Sequence, residues 1–486
     1  MNRWRLLDRT AAAARRHWLL LALLVPGIAL RVLAQLAYRP LLLYIDSYVY
    51  LDNLPRLDPT TGDPIGYILF LLRPLLAFGN LAVLAAFQHL IGLGMAVAIY
   101  ALLLRRGTRQ WLAALAAAPV LLDAYQVQIE HNLMSDTLFQ AMLLAAMAVL
   151  TWRRIPGYVA AALGGALLGA AVMVRLVGGP LVLAAIAYVA LAGSGRWRRL
   201  GLAATVAACF AAPVLGYAID YYRHTGKFGI SSTGRTALYG RVTVFVDCAR
   251  FQVPVYERPL CPSAPVGQRP MADDLVNGPD SPRWKVRPPP GMSGTRVERD
   301  FALRAIKHQP LDFLATVGRD FAKGFAPTRT TSAGDVHVDR WWFPLEYPVW
   351  RPGYSMRDAV QAVERYGGGG PAVRRPLAEL LQRYQRTVGY TPGPVLGAAL
   401  LLGLLGATGP SRTRDRRQRA ACLLYTATGA GVLFTAALFQ FSWRYQLPGL
   451  VLLPLAGALG VTVLAPEWKR SPVQVPDRAD REAQRP

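Results

Sequence analysis

Apolar residues dominate this chain in long runs separated by short polar breaks. The runs Trp18–Ala37, Leu81–Leu104 and Leu200–Ala218 are near the ~20 residues that a helix needs to cross a bilayer. Shorter runs cover Trp111–Leu122, Leu138–Leu150, Gly157–Val174, Pro180–Ala192 and Gly393–Gly406, with Ala420–Phe439 and Gln446–Leu464 completing the set. The pattern predicts an all-α polytopic membrane protein with about ten transmembrane helices. Ile65–Asn80 is apolar but broken by Arg73-Pro74, so a helix at or dipping into the interface is expected there. The run His17–Tyr38 is long enough to span and no A-x-A site follows it, so it reads as a span and not as a cleaved signal peptide.

Between Asp220 and Pro392 the pattern changes. Arg235–Phe251 is rich in β-branched and aromatic residues and predicts short strands. Cys261–Pro290 is heavy in proline and glycine and reads as irregular. Arg296–Phe325 has helical periodicity broken at Pro310, with Phe301, Ile306, Leu314, Val317 and Phe321 among its apolar positions. The aromatic group Trp341, Trp342, Phe343, Tyr347 and Trp350 follows beside Asp335, His337 and Asp339 and suits either a sugar ring or the bilayer interface. Helices are expected at Met356–Tyr366 and Ala372–Val388. The domains predicted are an N-terminal transmembrane catalytic module (1–219), an extracytoplasmic region (220–392), C-terminal spans (393–466) and a disordered cytoplasmic tail (467–486).

Composition agrees. The 486 residues are 53% hydrophobic and only 17% charged, too little charge to coat a soluble protein of this size. The net charge of +25 comes almost wholly from arginine. The arginines lie in short clusters between apolar runs, at the N-terminus, 105–109, 153–154, 196–199 and 412–419. That distribution is a topology signal and makes nucleic acid an unsuitable partner. It places both termini in the cytoplasm and the alternate, acid-bearing connections outside. Of the four cysteines, Cys209 and Cys422 fall in apolar runs, while Cys248 and Cys261 share the large loop, where an oxidising compartment would allow a disulfide.

Three acidic groups collect on the predicted outer side: Asp46, Glu130 with Asp136, and Asp335 with Asp339. Asp46 follows the apolar run Leu41–Ile45, among Tyr38, Tyr44, Tyr48 and Tyr50, and reads as a catalytic base, a metal ligand or a plain helix cap. Ser135 and Asp136 sit where an N-cap would stand. Arg175 and Arg444 run against the charge bias of the outer side, and an anionic phosphate would explain them, as would snorkelling. Arg31 lies inside the first run, where it needs an internal partner or must snorkel. No His- or Cys-rich spacing points to zinc, and no P-loop or nucleotide-binding glycine motif stands out.

Taken together, YIDSYVYL, DPIGYILFLLRPL, EHNLMSDTLF, VMVRLVGGP, AIKHQPLDFLATVGRDFAKGF and FSWRYQLPGLVLLPLAG resemble the GT-C superfamily of integral membrane glycosyltransferases. The likeness is to the branch related to protein O-mannosyltransferases and the aminoarabinose transferase of lipid A, and it covers most of the chain. Many members have two acids close together in the first loop, whereas here Asp46 is followed by Ser47 and Tyr48. The resemblance implies a hexosyl- or pentosyltransferase that moves a sugar from a polyprenyl-phosphate donor to a cell-wall glycan, lipid or protein acceptor outside the membrane; mannose and arabinofuranose both suit the arginine- and alanine-rich composition of a GC-rich bacterium, and no residue chooses between them. It makes Asp46 and Asp136 the catalytic candidates, Arg175, Arg444 and Tyr445 the donor-phosphate candidates, and Glu130, His131, His337 and Trp341 the substrate-binding candidates. A divalent metal, Mg or Mn, would fall to Asp46 and Asp136. The competing readings are a transporter or lipid flippase and a non-enzymatic scaffold. The absence of a visible internal repeat and the placement of the acids at span ends disfavour transport.

Overall fold

The computed structural model describes residues 15–231, 233–409 and 415–465, so the expected tail lies outside the described residues. In chain order the elements are α1 (Trp18–Ala37), β1 (Tyr38–Arg39), α2 (Ile45–Asn53), a π-turn at Ile68–Leu72 continuing into α3 (Arg73–Leu76), α4 (Leu81–Arg105), α5 (Gln110–Leu122), α6 (Ala124–Glu130), α7 (Asp136–Thr151), α8 (Tyr158–Val174), α9 (Val182–Ala192) and α10 (Arg196–Thr225). The large connection holds α11 (Thr233–Val242), α12 (Ala272–Asn277), α13 (Gly294–His308), α14 (Pro310–Lys323), α15 (Met356–Glu364), β2 (Ala372–Val373) and α16 (Arg375–Thr387). α17 (Gly393–Thr408), α18 (Arg416–Ala437) and α19 (Leu447–Leu464) follow.

The chain is thus a helical multi-pass membrane protein. Five helical segments are long and apolar enough to cross a bilayer: Trp18–Ala37, Leu81–Arg105, Arg196–Thr225, Arg416–Ala437 and Trp443–Leu464. α5 and α6 make a sixth if taken together, bent by 55°. The four other expected spans are apolar helices of 10–17 residues, short of a straight crossing.

Helix α1 shows how the outer helices work. Leu21, Val25, Ile28 and Val32 recur every three or four residues and are exposed, while Leu20, Gly27, Arg31 and Ala34 are buried on the opposite stripe. One apolar stripe therefore faces lipid and the other faces the bundle. α19 is buried almost all round, from Leu447 to Gly460, and packs against α17 and α18 at the centre. Its approach to α17 needs glycine, because a Cβ at Gly460 would overlap the Leu402 carbonyl.

One continuous core takes residues from the N-terminal helices, from α17–α19 and from the stretch 336–381. Part of the aromatic group there lies in this core: Trp341, Phe343 and Tyr347 are buried, and Trp342 and Trp350 are half-buried. Phe343 stacks on Tyr38 at 5.7 Å, and the Tyr347 hydroxyl donates to the Leu41 carbonyl at 3.0 Å. These contacts, with the two-residue pairing of β1 and β2, clamp the first loop from above.

A second, smaller core joins Tyr239, Val242 and Val246 to Phe301, Ala302 and Ala305. The strands expected at Arg235–Phe251 are not formed. Tyr239, Val242 and Val246 fall at helical spacing, and burial of that stripe against α13 outweighs the β propensity of the residue types. A disulfide joins Cys248 to Cys261 across a separation of 13 residues. The expected break at Pro310 separates α13 from α14.

Candidate functional site

The first loop is fixed before it reaches Asp46. Leu42 donates its N–H to the His131 carbonyl at 3.0 Å, and Leu133 donates back to Leu42 at 3.0 Å. Tyr44 then caps α2, with Ser47 accepting from the Tyr44 N–H at 2.8 Å and donating to the Leu133 carbonyl at 2.8 Å. Asp46 stands in the first turn of that helix, so it contributes to the helix end without being its cap.

Asp46 opens onto a cavity of about 480 Å³. Its walls include Asp46, Asp63, Arg175, Trp341, Arg444 and Tyr445. Arg444, just before α19, reaches Asp46 at 3.1 Å and Asp136 at 3.7 Å. Arg175, at the end of α8, holds the other oxygen of Asp136 at 2.8 Å. Asp46, Arg444, Asp136 and Arg175 therefore form an alternating chain of charge. The ring of Tyr445 lies 5.4 Å from the Arg175 guanidinium and 5.2 Å from that of Arg444, with Trp341 5.1 Å from the latter. These separations are within the range where aromatic faces stabilise a cation. Arg175 and Arg444 thus answer to acids of the protein, which accounts for positive charge on this side, and both still border the cavity.

Ser135 does not cap α7 with its side chain; its hydroxyl accepts from Tyr50 at 3.2 Å instead. Asp63 also lines the cavity, in the loop after α2. Burial, and next the charge of Asp46, push its carboxyl up to about 7, against the pull of Arg175 and Arg444.

Asp46, Asp136, Arg175, Arg444, Tyr445 and Trp341 are therefore brought together. Glu130 and His131 are fully buried among the protein's own groups and do not line the cavity, which corrects their reading as substrate-binding groups, while His337 follows Val336 of the cavity wall. Glu130 is fully buried and takes Arg31 through both carboxylate oxygens at 2.9 Å. It also meets His89 Nδ1 at 3.0 Å, and His89 Nε2 lies 3.1 Å from His131 Nδ1. This is the internal partner that Arg31 required; the polar run 123–136 is folded inward as α6, so it forms no exposed rim. His337 is exposed, and Asp335 pairs with Lys323 instead of facing the cavity.

Sequence reasoning assigned no role to Asp63, Tyr50, Asp273, Asn277 or Gln440, all of which line the cavity. Asp63 carries one visible signal, its place immediately before Pro64 and the apolar run. Asp273 and Asn277 lie in a stretch with no periodicity and carry none.

The proposed metal pair does not fit a divalent ion as arranged. Arg444 contacts both Asp46 and Asp136, so a guanidinium occupies the position that a shared cation would take. No group of three or more His, Cys, Asp or Glu side chains placed to hold a metal occurs among the described residues.

No protein-family model and no curated protein matches this chain. A solved structure of the Saccharomyces cerevisiae protein O-mannosyltransferase Pmt1–Pmt2 complex bound to the sugar donor is similar to it at 14% identity. The alignment covers 53% of this chain and 38% of that one, with a TM-score of 0.33.

Proposed function

We propose that the protein is a membrane glycosyltransferase that moves a sugar from a polyprenyl-phosphate carrier to an extracytoplasmic acceptor. The observation that carries this reading is the cavity in which Asp46 faces two arginines among aromatic walls. Transfer to a hydroxyl needs a base for its proton and a positive site for the phosphate that departs with the electron pair of the broken C–O bond. Asp46 is assigned the proton. Arg175 and Arg444 are assigned the phosphate charge, and Trp341 and Tyr445 supply flat apolar surface for a sugar ring. Asp136 holds the two arginines in register.

The test is turnover of a panel of polyprenyl-phosphate sugars by purified protein, with EDTA in a parallel arm. Arg175→Gln is expected to lower turnover about 100-fold, the cost of removing one charge-stabilising donor. Turnover of the active donor at the wild-type rate by this variant would remove the phosphate assignment, and no turnover of any donor by well-folded wild type would remove the reading itself.

A further inference from the structure

At the opposite end of α7 and α8 from the candidate site lies a second cavity, of about 340 Å³. It is separated from Asp136 by the 16 residues of α7, roughly 24 Å at 1.5 Å per residue. Three parts of the chain meet there: the end of α4 with Arg105 and Arg106, the turn after α7 with Arg153 and Arg154, and the start of α18 with Arg417. Among the described residues, five guanidiniums thus face one carboxylate, Asp415, and that carboxylate already caps α18 by accepting from the N–H groups of Arg417 at 3.0 Å and Gln418 at 3.4 Å.

The topology bias requires arginines at this end, and it does not require them to converge without counter-charge. Others nearby are used up by the protein's own carbonyls. Arg199 donates to Gly193 at 2.9 Å, and Arg419 donates to Ala407 at 3.1 Å and Gly409 at 3.0 Å. Arg106 donates to the Thr151 carbonyl, and Arg105 donates to the Trp152 carbonyl at 2.7 Å while lying 4.7 Å over its ring. The side chains of Arg153 and Arg154 make no hydrogen bond or ion pair among the described residues and are exposed.

A second observation says what kind of anion fits. The cavity shares Trp152 and Arg153 with a neighbouring groove of about 610 Å³ along α7 and α8. That groove is lined by Ala148, Val149, Val159 and Leu163, and Val159 and Leu163 are exposed inside an apolar helix. A basic pocket at the end of the helices opens into an apolar channel along them, with a tryptophan at the junction. That is the profile of one phospholipid: phosphate above, acyl chain below.

We infer that the arginine cavity and the α7–α8 groove together bind one anionic phospholipid, its phosphate held by Arg153, Arg154 and Arg417 and an acyl chain lying against Val159 and Leu163. The site is separate from the proposed transfer cavity and does not rest on that reading. Its occupant would fix the α7 and α18 ends relative to one another, since Arg153 and Arg154 follow α7 and Arg417 lies in the first turn of α18.

The test uses the full chain in detergent micelles, with bound lipid read by native mass spectrometry and affinity by thermal unfolding. Phosphatidylglycerol is expected to bind and raise the unfolding temperature, phosphatidylcholine to do so far less, and inorganic phosphate not at all. Arg153→Gln/Arg154→Gln is expected to bind phosphatidylglycerol about 25-fold more weakly, about fivefold for each arginine. Leu163→Trp, which fills the groove and leaves every arginine in place, is expected to weaken it as well. Equal binding of the two lipids, wild-type affinity in the double arginine variant, or equal protection by inorganic phosphate would each overturn the inference.

Discussion

At the residue scale the site is a problem in charge placement. Two arginines and two aspartates alternate along Asp46–Arg444–Asp136–Arg175, each within 3.7 Å of the next. Asp63 stands outside that chain, and its burial, with the charge of nearby Asp46 next, raises its carboxyl from 3.8 to about 7. A carboxyl raised on folding binds more protons folded than unfolded between those two values. Its contribution to stability is therefore full below about pH 4 and is lost as the pH rises through 7. Asp63→Asn is expected to unfold at a higher temperature than wild type at pH 8, with the gap shrinking as the pH falls to 5. A gap that stays constant across that range would show that Asp63 does not titrate as described.

At the scale of elements the first loop is the piece most constrained by others. It is tied from below to 131–133, from above by Phe343 and Tyr347, and at one side by β2. Beneath it, Arg31 of α1, His89 of α4 and Glu130 of α6 meet in one buried network. Glu130→Gln leaves the Arg31 guanidinium buried without its counter-charge. The expected cost is about 3–5 kcal/mol, read as a lowered unfolding midpoint in detergent. A cost below about 1 kcal/mol would mean that water or a neighbouring group takes over.

The same elements show what the sequence could and could not tell. The helices were legible because continuous apolar runs leave few other structures for a chain in lipid. The depth of Arg31 in α1 left an internal partner and snorkelling both open, and the structure supplies the partner, Glu130. The inward fold of α6 was not legible: a run of glutamines, a glutamate and a histidine looks like a water-facing rim until distant arginines and histidines are known to meet it. The helix at Thr233–Val242 was misread as strand because residue types were weighed above the spacing of Tyr239, Val242 and Val246. Asp46, Asp136, Arg175 and Arg444, which meet in the structure, were legible as candidates because each sits at a span end, the two arginines against the charge bias of that side. Asp273 and Gln440 were missed because the cavity is closed by segments from widely separated parts of the chain, and no local pattern records that meeting.

At the scale of the whole molecule the two ends of the bundle differ in kind. One end gathers acids, aromatic rings and two paired arginines around a cavity roofed by the large connection. The other gathers arginines around a cavity whose described lining holds a single carboxylate, Asp415. The arginine-rich end is the one that the positive-inside rule would assign to the cytoplasm, and the cavity around Asp46 lies at the other.

The most direct measurement is transfer from the polyprenyl-phosphate sugar that the wild type uses, by purified Asp46→Asn, beside the wild-type protein. The substitution keeps size and shape and removes the charge that would accept the proton. The account predicts a folded, monodisperse protein whose transfer is lost, as removal of a general base requires. Transfer by Asp46→Asn at the wild-type rate would contradict it.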